Sequence, residues 1–404
     1  MSASDLLRAG TAEDRVDGEV PPQVAEPDSP EQFAAALKYA SEAKLPTVIR
    51  GGGTKLAWGR PPSTVDLVVS TARLARLIAH RHGDLTATVQ AGMRLRDFNA
   101  ALRAERQWLP VDSAFADATI GGIVATNDSG PSRHRNGTPR DLVIGITLAL
   151  TDGRLVKAGG TVVKNVAGYD LGKLVSGSHG TLAGIVDVTF KLVPIPPASA
   201  TLVAHYKDAA ALTRDVSALD ASQIEPAAFD VRMSDEAAPF QLKLRIATSP
   251  AARDAQIAAA RGLVSGEATV LTDMAESAAW AAQIDAPWRG DAAVRFSWLP
   301  SRLPQVLALL TEIQHSGAVS VTFVGRVLGA GLARLSGEVA AVAAAVQRLR
   351  ASGDVGNVIL LRGSRALKQA VDVWGPPRSS DTVLRALKQM FDPAGILNAG
   401  RGPI

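Results

Sequence analysis

Three glycine clusters are the parts of this sequence best suited to holding a charged ligand. The first, Arg50-Gly51-Gly52-Gly53-Thr54, directly follows the apolar run Thr47-Val48-Ile49. Consecutive glycines let a backbone approach an anion closely and turn several N–H groups toward it, and Thr54 adds a hydroxyl donor. A plain tight turn explains the same residues equally well. The cluster is not a familiar phosphate loop, because the sequence contains no G-x-x-x-x-G-K-[ST] run and the cluster does not complete G-x-G-x-x-G.

The other two clusters also combine glycine with hydroxyl residues. Thr119-Ile120-Gly121-Gly122 predicts a short helix capped by Thr119, whose N–H groups would point outward toward a phosphate or a ring oxygen. The alternative is a glycine pair that lets the helix pack closely. Gly177-Ser178-His179-Gly180-Thr181 precedes a long apolar run, and Ser176 stands where the hydrolase motif G-x-S-x-G needs its first glycine.

The elements around these clusters read as alternating strands and helices. Ser29 predicts a helix N-cap, with Pro30 at the first helical position. Thr151-Asp152-Gly153 predicts the turn of a hairpin between Leu142–Leu150 and Arg154–Lys157. Prolines at 194, 196 and 197 mark a boundary, beyond which strand and helix patterns alternate. That alternation predicts an α+β sandwich with an antiparallel sheet.

The composition of the chain excludes several classes of site and of protein. The chain has 404 residues, a net charge of +4 and no cysteine, so a disulfide framework, a thiol nucleophile and a bound iron–sulfur cluster are excluded within this sequence. Its excess bases are interleaved with acids and accompanied by few aromatics, so we expect no nucleic-acid binding. No apolar run approaches the roughly 18–20 residues that span a membrane, and the first ten residues lack a signal-peptide core. We therefore expect a cytoplasmic protein, at most peripheral to the inner membrane.

The charge is uneven along the chain. Residues 1–31 hold eight acidic and two basic residues, with little periodicity and several prolines. This composition is typical of a solvated segment, so the sequence predicts a flexible acidic tail over residues 1–25.

Taken together, the order and spacing of these motifs resemble one family, the flavoproteins of the vanillyl-alcohol-oxidase type with a PCMH-type FAD-binding fold. Two finer features resemble the FAD-binding subunit of bacterial glycolate oxidase. These are Gly53-Thr54-Lys55-Leu56-Ala57-Trp58-Gly59 and Lys164-Asn165-Val166-Ala167-Gly168-Tyr169-Asp170. The other matching pieces are Arg50–Thr54, Thr119–Gly122, Gly137–Asp141, Gly168–Leu171, Gly177–Leu182 and Asp392–Asn398.

The resemblance implies an α+β architecture: a two-lobed FAD-binding domain, an α+β, ferredoxin-like cap domain and a C-terminal segment that returns to the FAD domain. The expected bounds are 26–196 for the FAD-binding domain, 197–375 for the cap or substrate domain, and 376–404 for the returning segment.

The same resemblance assigns the cofactor and its contacts. The loop Gly51, Gly52, Gly53 and Thr54 would hold the pyrophosphate of FAD, and Thr119, Gly121 and Gly122 would line the diphosphate and ribityl region. Gly180, Thr181, Gly184 and Ile185 would lie against the adenosine side, and Asn398 would return to the flavin neighbourhood. The histidine that carries covalent FAD in some members is absent from residues 54–60, so we expect non-covalent FAD.

Catalytic residues are harder to assign. Related 2-hydroxy-acid dehydrogenases carry a His-x₆-His metal pair in their second half, whereas after residue 200 this chain has only His205 and His315. We therefore assign no metal and no catalytic residue. Arg133 and His134, with Arg135, are candidate substrate-binding residues: an arginine would pair with a carboxylate, while His134 would accept a proton. A solvated basic loop or a subunit contact is the competing interpretation.

The resemblance implies an FAD-dependent oxidoreductase subunit that takes part in the oxidation of glycolate, a small 2-hydroxy acid, to glyoxylate. The implied partners are a homologous FAD-binding subunit and an iron–sulfur subunit that receives the electrons. Two alternatives stay open. The chain could be a structural or assembly flavin subunit whose homologous partner carries out catalysis, or a self-sufficient D-2-hydroxy-acid dehydrogenase.

Overall fold

A computed structural model describes residues 6–162 and 168–403. The chain divides into two compact units. The first comprises Met1–Ser129, Gly137–Ile195 and Pro377–Ile404, and the second Gly130–Asn136 and Pro196–Pro376. The first four residues of the Lys164–Asp170 motif lie outside the described residues.

The strands and helices follow in chain order. The strands are β1 (Leu7–Ala9), β2 (Gln23–Ala25), β3 (Thr47–Arg50), β4 (Leu67–Ser70), β5 (Leu77–Arg81), β6 (Thr86–Gln90), β7 (Gln107–Trp108), β8 (Val143–Ala149), β9 (Leu155–Gly159), β10 (Gly184–Lys191), β11 (Val193–Pro194), β12 (Ala198–Tyr206), β13 (Ala228–Met233), β14 (Phe240–Thr248), β15 (Glu267–Leu271), β16 (Ala292–Ser297), β17 (Ser320–Arg326), β18 (Ala330–Ser336) and β19 (Gly356–Arg362). The α-helices are α1 (Pro30–Glu42), α2 (Leu95–Leu102), α3 (Ile120–Thr126), α4 (Arg133–Asn136), α5 (Pro139–Leu142), α6 (Leu171–Val175), α7 (Ala209–Asp220), α8 (Pro250–Leu263), α9 (Asp273–Asp285), α10 (Leu303–His315), α11 (Val339–Ala351), α12 (Arg365–Ala370) and α13 (Asp381–Phe391). None of the helices in these described ranges is long and apolar enough to cross a membrane.

The first unit contains two main sheets. In one, the order is β1-β2-β4-β3, with β2 and β3 parallel to β4; in the other, the order is β5-β6-β10-β8-β9 and every pair is antiparallel. The hairpin β8–β9 turns where Thr151-Asp152-Gly153 predicts it. Helices α2 and α3 pack their apolar side chains into the core of the second sheet.

Helix α1 packs against both sheets, and its sequence explains why. Ser29 Oγ accepts a hydrogen bond of 3.2 Å from the Gln32 N–H, and Pro30 occupies the first turn, as predicted. Phe33 and Leu37 are fully buried on one face. Gly184 in β10 lies so close to Phe33 that a Cβ there would stand 2.3 Å from the ring, so this glycine is required by packing.

The N-terminal segment differs from the prediction. A flexible tail over 1–25 is wrong for the described part, because β1 pairs antiparallel with β2, and β2 is parallel to β4 within the sheet. Two of the acidic residues here, Asp14 and Glu26, pair with arginines. Asp14 is buried and lies 2.7 Å from an Arg8 nitrogen and 2.8 Å from an Arg50 nitrogen. Composition counted Asp14 and Glu26 as solvated, whereas arginines pair with both of them.

The second unit is built twice from one topology. Elements β12-α7-β13-β14-α8-β15 form a ferredoxin-like half with strand order β15-β12-β14-β13, and β16-α10-β17-β18-α11-β19 form another with order β17-β18-β16-β19. Strands β13 and β17 pair antiparallel and join both halves into one eight-stranded sheet. The predicted α+β class, with a ferredoxin-like second domain, is confirmed. One face of the sheet packs on helices α7, α8, α10 and α11.

Candidate functional site

A cleft in the first unit gathers four separate stretches of the chain. Its empty space is about 890 Å³, open solvent at its mouth included. The structure brings these predicted cofactor residues to its wall: Gly51, Gly52, Gly53, Thr54, Thr119, Gly121, Gly122, Gly180, Ile185 and Asn398. Their contact with FAD stays a prediction.

The glycine loop presents backbone donors to this cleft. Within residues 6–162 and 168–403, the N–H groups of Gly52, Gly53 and Thr54 donate to no protein acceptor. The loop backbone is also tightly packed, because a Cβ on Gly51 would lie 2.1 Å from Thr119 Oγ1 and one on Gly52 would lie 1.8 Å from the carbonyl oxygen of Asp117. These N–H groups are held in place and have no protein acceptor, so they are suited to bind the pyrophosphate of a dinucleotide.

The second glycine cluster contributes differently from its prediction. Thr119 caps α3 as expected, and its Oγ1 accepts a long hydrogen bond of 3.4 Å from the Gly122 N–H. The Gly121 N–H donates to the carbonyl of Ala91 at 2.8 Å. The prediction that these N–H groups point outward is therefore wrong, because both are used inside the protein. Gly121 allows close packing instead, since a Cβ added there would lie 2.8 Å from Ala91 Cβ.

The third cluster forms a turn in which two residues line the cleft. His179 and Gly180 both have positive φ angles, 55° and 69°. The His179 N–H donates to the carbonyl of Ala125 at 2.7 Å, which ties the turn to α3. Thr181 and Gly184 do not line the cleft: Thr181 donates its hydroxyl hydrogen to the Ser178 carbonyl at 2.7 Å, and Gly184 faces α1.

The C-terminal stretch is held at the cleft by an ion pair between a partly exposed lysine and a buried aspartate. Lys388 Nζ lies 2.5 Å from Asp392 Oδ2 and donates to the carbonyls of Thr181 and Leu397 at 2.8 and 2.9 Å. Burial lowers the pKa of Lys388 below its ordinary value. Asn398 then reaches the turn of the third cluster, where its side-chain amide donates to the His179 carbonyl at 2.6 Å. The Asp392–Asn398 motif thus positions Asn398.

Side chains just beyond the glycine loop form a charged and aromatic cluster. Lys55 Nζ lies 3.0 Å from Asp128 Oδ2, and the two side chains are only 7% and 10% exposed. Asp128 also accepts from the Ser113 hydroxyl at 2.9 Å. Lys55 Nζ stands 5.6 Å from the Trp58 ring centroid and 5.2 Å from that of Phe115, distances at which a cation and an aromatic ring attract. Lys55 and Trp58 line the cleft.

Sequence reasoning missed Arg401 as a member of this site. Its side chain is buried, lines the cleft and donates to the carbonyls of Leu56 and Trp58, the latter at 2.9 Å. Burial lowers the pKa of its guanidinium. No local pattern around Arg401 signals this role, because both partners lie more than three hundred residues earlier in the chain. Lys55 and Trp58, in contrast, directly follow the glycine loop.

The substrate candidates belong to the second unit. The Arg135 side chain donates to the carbonyls of Ala247, at 2.9 Å, and Glu225. His134 packs edge-to-face on Phe229, with ring centroids 6.1 Å apart. Burial lowers the pKa of His134, so the imidazole is neutral at pH 7 and has a lone pair that can accept a proton. A substrate role for Arg133 and His134 stays a prediction.

Metal ligation has no evident location in the described ranges. Among those residues no group of three or more histidine, aspartate or glutamate side chains is arranged to hold an ion. His205, one of the two late histidines, pairs through Nε2 with the Gln241 amide nitrogen at 2.8 Å.

Comparisons with known proteins bear on this cleft. Residues 21–159 match the family described as "FAD binding domain". The chain is 35% identical over 212 residues to glycolate oxidase subunit GlcD of Bacillus subtilis, a match covering 52% of this chain and 45% of that protein. It is 36% identical over 173 residues to glycolate oxidase subunit GlcE of Escherichia coli, covering 42% and 49%. The chain thus spans about half the length of these two relatives.

A longer match and a solved structure extend the comparison. D-2-hydroxyglutarate dehydrogenase of Xanthomonas citri is 29% identical over 323 residues, covering 72% of this chain and 68% of that protein. The structure of an alkyldihydroxyacetonephosphate synthase superposes with a TM-score of 0.71 over 98% of this chain and 82% of that chain, at 14% identity. At that identity the likeness concerns the fold alone. The predicted FAD cofactor and PCMH-type fold are confirmed.

Proposed function

Because this chain carries a PCMH-type FAD-binding domain and takes FAD as its cofactor, we propose that it is a non-covalent FAD-binding subunit of a multi-subunit 2-hydroxy-acid oxidoreductase of the glycolate oxidase type. It would take part in the oxidation of glycolate to glyoxylate. Relatives named as glycolate oxidase subunits and as D-2-hydroxy-acid dehydrogenases support this class of reaction.

The proposal rests on one observation. Within the described residues, the backbone N–H groups of Gly52, Gly53 and Thr54 have no protein acceptor, and these residues line the wall of a cleft. These N–H groups would hold the pyrophosphate. Asn398, tied to the His179 carbonyl, would close the cleft from the C-terminal side. No positive side chain has to contact the phosphates directly, because backbone dipoles supply the field.

The chemistry divides between the cofactor and the chain. Bound FAD would supply the acceptor for the hydride that leaves the α-carbon of a 2-hydroxy acid. The chain would bind and orient the acid, exclude water and accept the hydroxyl proton. His134, neutral at pH 7, and Arg133 remain our proposed groups for the proton and for the carboxylate.

The proposed partners are a homologous FAD-binding subunit and an iron–sulfur subunit. A chain without cysteine has no ligands of its own for an iron–sulfur cluster, so electrons from two-electron chemistry would pass to a partner that holds one. The similarity to both GlcD and GlcE supports an assembly with two related flavin chains.

Anaerobic flavin reduction tests the proposal. The purified chain and the complex copurified with its natural partners are each mixed with glycolate or D-lactate, and the visible flavin absorbance is followed. We expect bleaching within seconds in the complex. Bleaching by the isolated chain would support catalysis in this chain or a self-sufficient dehydrogenase. Bleaching only in the complex would favour the assembly subunit, and no bleaching in either would overturn the substrate class.

A further inference from the structure

Lys55 is a buried cation at the wall of the cleft, and it has no role in the contacts proposed for the pyrophosphate. Its Nζ lies 3.0 Å from Asp128 Oδ2, and the two side chains are 7% and 10% exposed. An ammonium group has three N–H donors. In the part of the chain that the structure describes, Asp128 is the one acceptor beside Nζ, so two of the three donors are left for a ligand of the cleft.

The neighbours of Lys55 hold its ammonium group in place. Asp128 Oδ2 also accepts from the Ser113 hydroxyl at 2.9 Å, which fixes the carboxylate. The rings of Trp58 and Phe115 stand 5.6 and 5.2 Å from Nζ and meet edge to face, with centroids 6.2 Å apart. A donor held by a carboxylate and two rings loses little side-chain freedom when it binds a ligand, so Lys55 is preorganised.

Two parts of FAD could accept a hydrogen bond from Lys55, the pyrophosphate and the isoalloxazine ring. Asp128 already compensates the charge of Lys55, and its carboxylate would repel a phosphate brought to the same ammonium group. The acceptors of the oxidised ring are uncharged, so Asp128 does not repel them. Trp58, which also lines the cleft, offers an apolar surface for a planar ligand. The charges and the aromatic neighbour therefore favour the ring.

We propose that Lys55 donates a hydrogen bond to the isoalloxazine ring of bound FAD, and that the Lys55–Asp128 pair sets the reduction potential of the flavin. A hydride carries two electrons and one proton, so its transfer to the oxidised ring adds one negative charge. A cation beside the ring favours that charge, and the carboxylate of Asp128 opposes it. The inference rests on the proposed placement of FAD in the cleft and is independent of the proposed substrate.

The first experiment compares FAD with ADP, which has the adenosine and the pyrophosphate but no isoalloxazine ring. Flavin fluorescence measures FAD binding to the apoprotein of the full chain, and competition measures ADP binding. We expect Lys55→Gln to weaken FAD binding at least about tenfold, as for the loss of a hydrogen bond from a charged donor, and to leave ADP binding unchanged. Gly52→Ala, in the loop proposed for the pyrophosphate, should weaken the binding of both.

The outcomes separate this inference from the placement of FAD. Equal weakening of FAD and ADP binding in Lys55→Gln would assign Lys55 to the pyrophosphate and overturn the contact with the ring. Unchanged FAD binding in Lys55→Gln would also overturn it, while Gly52→Ala still weakens FAD binding if FAD occupies the cleft. Unchanged FAD binding in both variants would overturn the placement of FAD itself.

The second experiment measures the midpoint potential of the bound flavin by equilibration with redox dyes. Lys55→Gln is expected to lower the potential, because it removes the cation and leaves Asp128 uncompensated. Asp128→Asn is expected to raise it, because the cation then acts on the ring without its counter-charge. We expect each variant to change the ratio of the affinities for reduced and oxidised flavin about tenfold, which is about 30 mV for a two-electron couple.

The matched control is Lys38→Gln, which removes a lysine from an exposed ion pair with Glu42 and should leave both affinities and the potential unchanged. A folding defect alone does not shift the potential in opposite directions in the two partners of one pair. If Lys55→Gln does not retain flavin, Asp128→Asn decides the question, because its potential must rise. Any other pattern, with potentials unchanged, shifted together or reversed, would overturn the proposal.

Discussion

Gly52 is a residue whose missing side chain decides the shape of the cofactor loop. A Cβ there would stand 1.8 Å from a backbone oxygen of Asp117, so alanine must displace the loop and its N–H donors. We expect Gly52→Ala to weaken FAD binding at least about tenfold, equivalent to about 1.4 kcal/mol. Flavin fluorescence during titration of the apoprotein measures this affinity. Gly83→Ala is the matched control, because nothing lies within 4 Å of its added Cβ. Equal affinity in both variants would contradict the packing argument.

The Lys55–Asp128 pair is a second residue-scale feature open to test. Removing one partner of a buried ion pair leaves the other uncompensated, at a cost of about 3–5 kcal/mol. We expect Lys55→Met and Asp128→Leu each to lower the free energy of unfolding by about that amount, and the double variant to lose less than the sum. Denaturant unfolding of the four proteins measures the coupling. Additive losses would show that the two side chains do not stabilise each other.

At this scale the sequence predicted positions better than roles. The glycine clusters could be recognised from residues that are adjacent in the sequence, and most of the residues predicted from them line the cleft. Gly184 and Thr181 fall in the right segment, yet one is required by a phenylalanine of α1 and the other bonds its own turn. Arg401 could not be predicted, since its partners Leu56 and Trp58 become neighbours only through folding.

The first element, β1, and the turn after it brace the glycine loop through Asp14. Hydrogen bonds from Arg8 hold the pKa of Asp14 below its ordinary value. A carboxylate with a lowered folded-state pKa contributes stability above its ordinary pKa near 4, and the contribution is lost as the pH falls through the folded-state pKa. We expect Asp14→Asn to lower the free energy of unfolding at pH 7 by about 1–3 kcal/mol and to weaken the acid dependence. Asp28→Asn, an exposed acid nearby, should change neither; a similar loss there would argue against pairing as the cause.

Helix α9 covers Lys243 on strand β14, which makes the stability of that contact depend on pH. Burial lowers the pKa of Lys243 to about 8 from an ordinary value of 10.5, while Arg232 opposes its charge and Asp230 and Glu236 favour it. Between those pH values the unfolded chain binds more protons, so stability rises with pH there. We expect the wild type to gain roughly 3 kcal/mol from pH 8 to 10.5 relative to Lys243→Met. Urea unfolding at a series of pH values checks this, and parallel curves would contradict it.

Elements with clear alternation or caps could be predicted, and those that depend on distant partners could not. The hairpin β8–β9 and helix α1 follow from local turn and cap chemistry. Strands β1 and β2 were not predicted, because their surroundings are acidic and the sequence does not show that Arg50, distant in the chain, pairs with Asp14.

For the whole molecule, the duplicated topology of the second unit shows what a sequence conceals. Its two ferredoxin-like halves share strand order without sharing a residue pattern, so no repeat is visible along the chain. The first unit is likewise discontinuous, since its C-terminal piece follows the entire second unit. The resemblance to a flavoprotein family predicted that the C-terminal segment returns to the first unit. Composition and periodicity alone do not predict this.

That discontinuity yields a prediction about the complete chain. Ending the protein at Pro376 removes Ile396 and Leu397, which are buried in the core beside Phe33 and Leu37, and each such side chain stabilises a fold by about 2 kcal/mol. It also removes Asn398 from the cleft. We expect the truncated chain to purify without yellow colour and to bind no added FAD. Val383→Ser, on an exposed position of α13, should keep its flavin. A truncated chain that binds FAD with wild-type affinity would mean that the returning segment is not part of the site, because the cleft would then be complete without it.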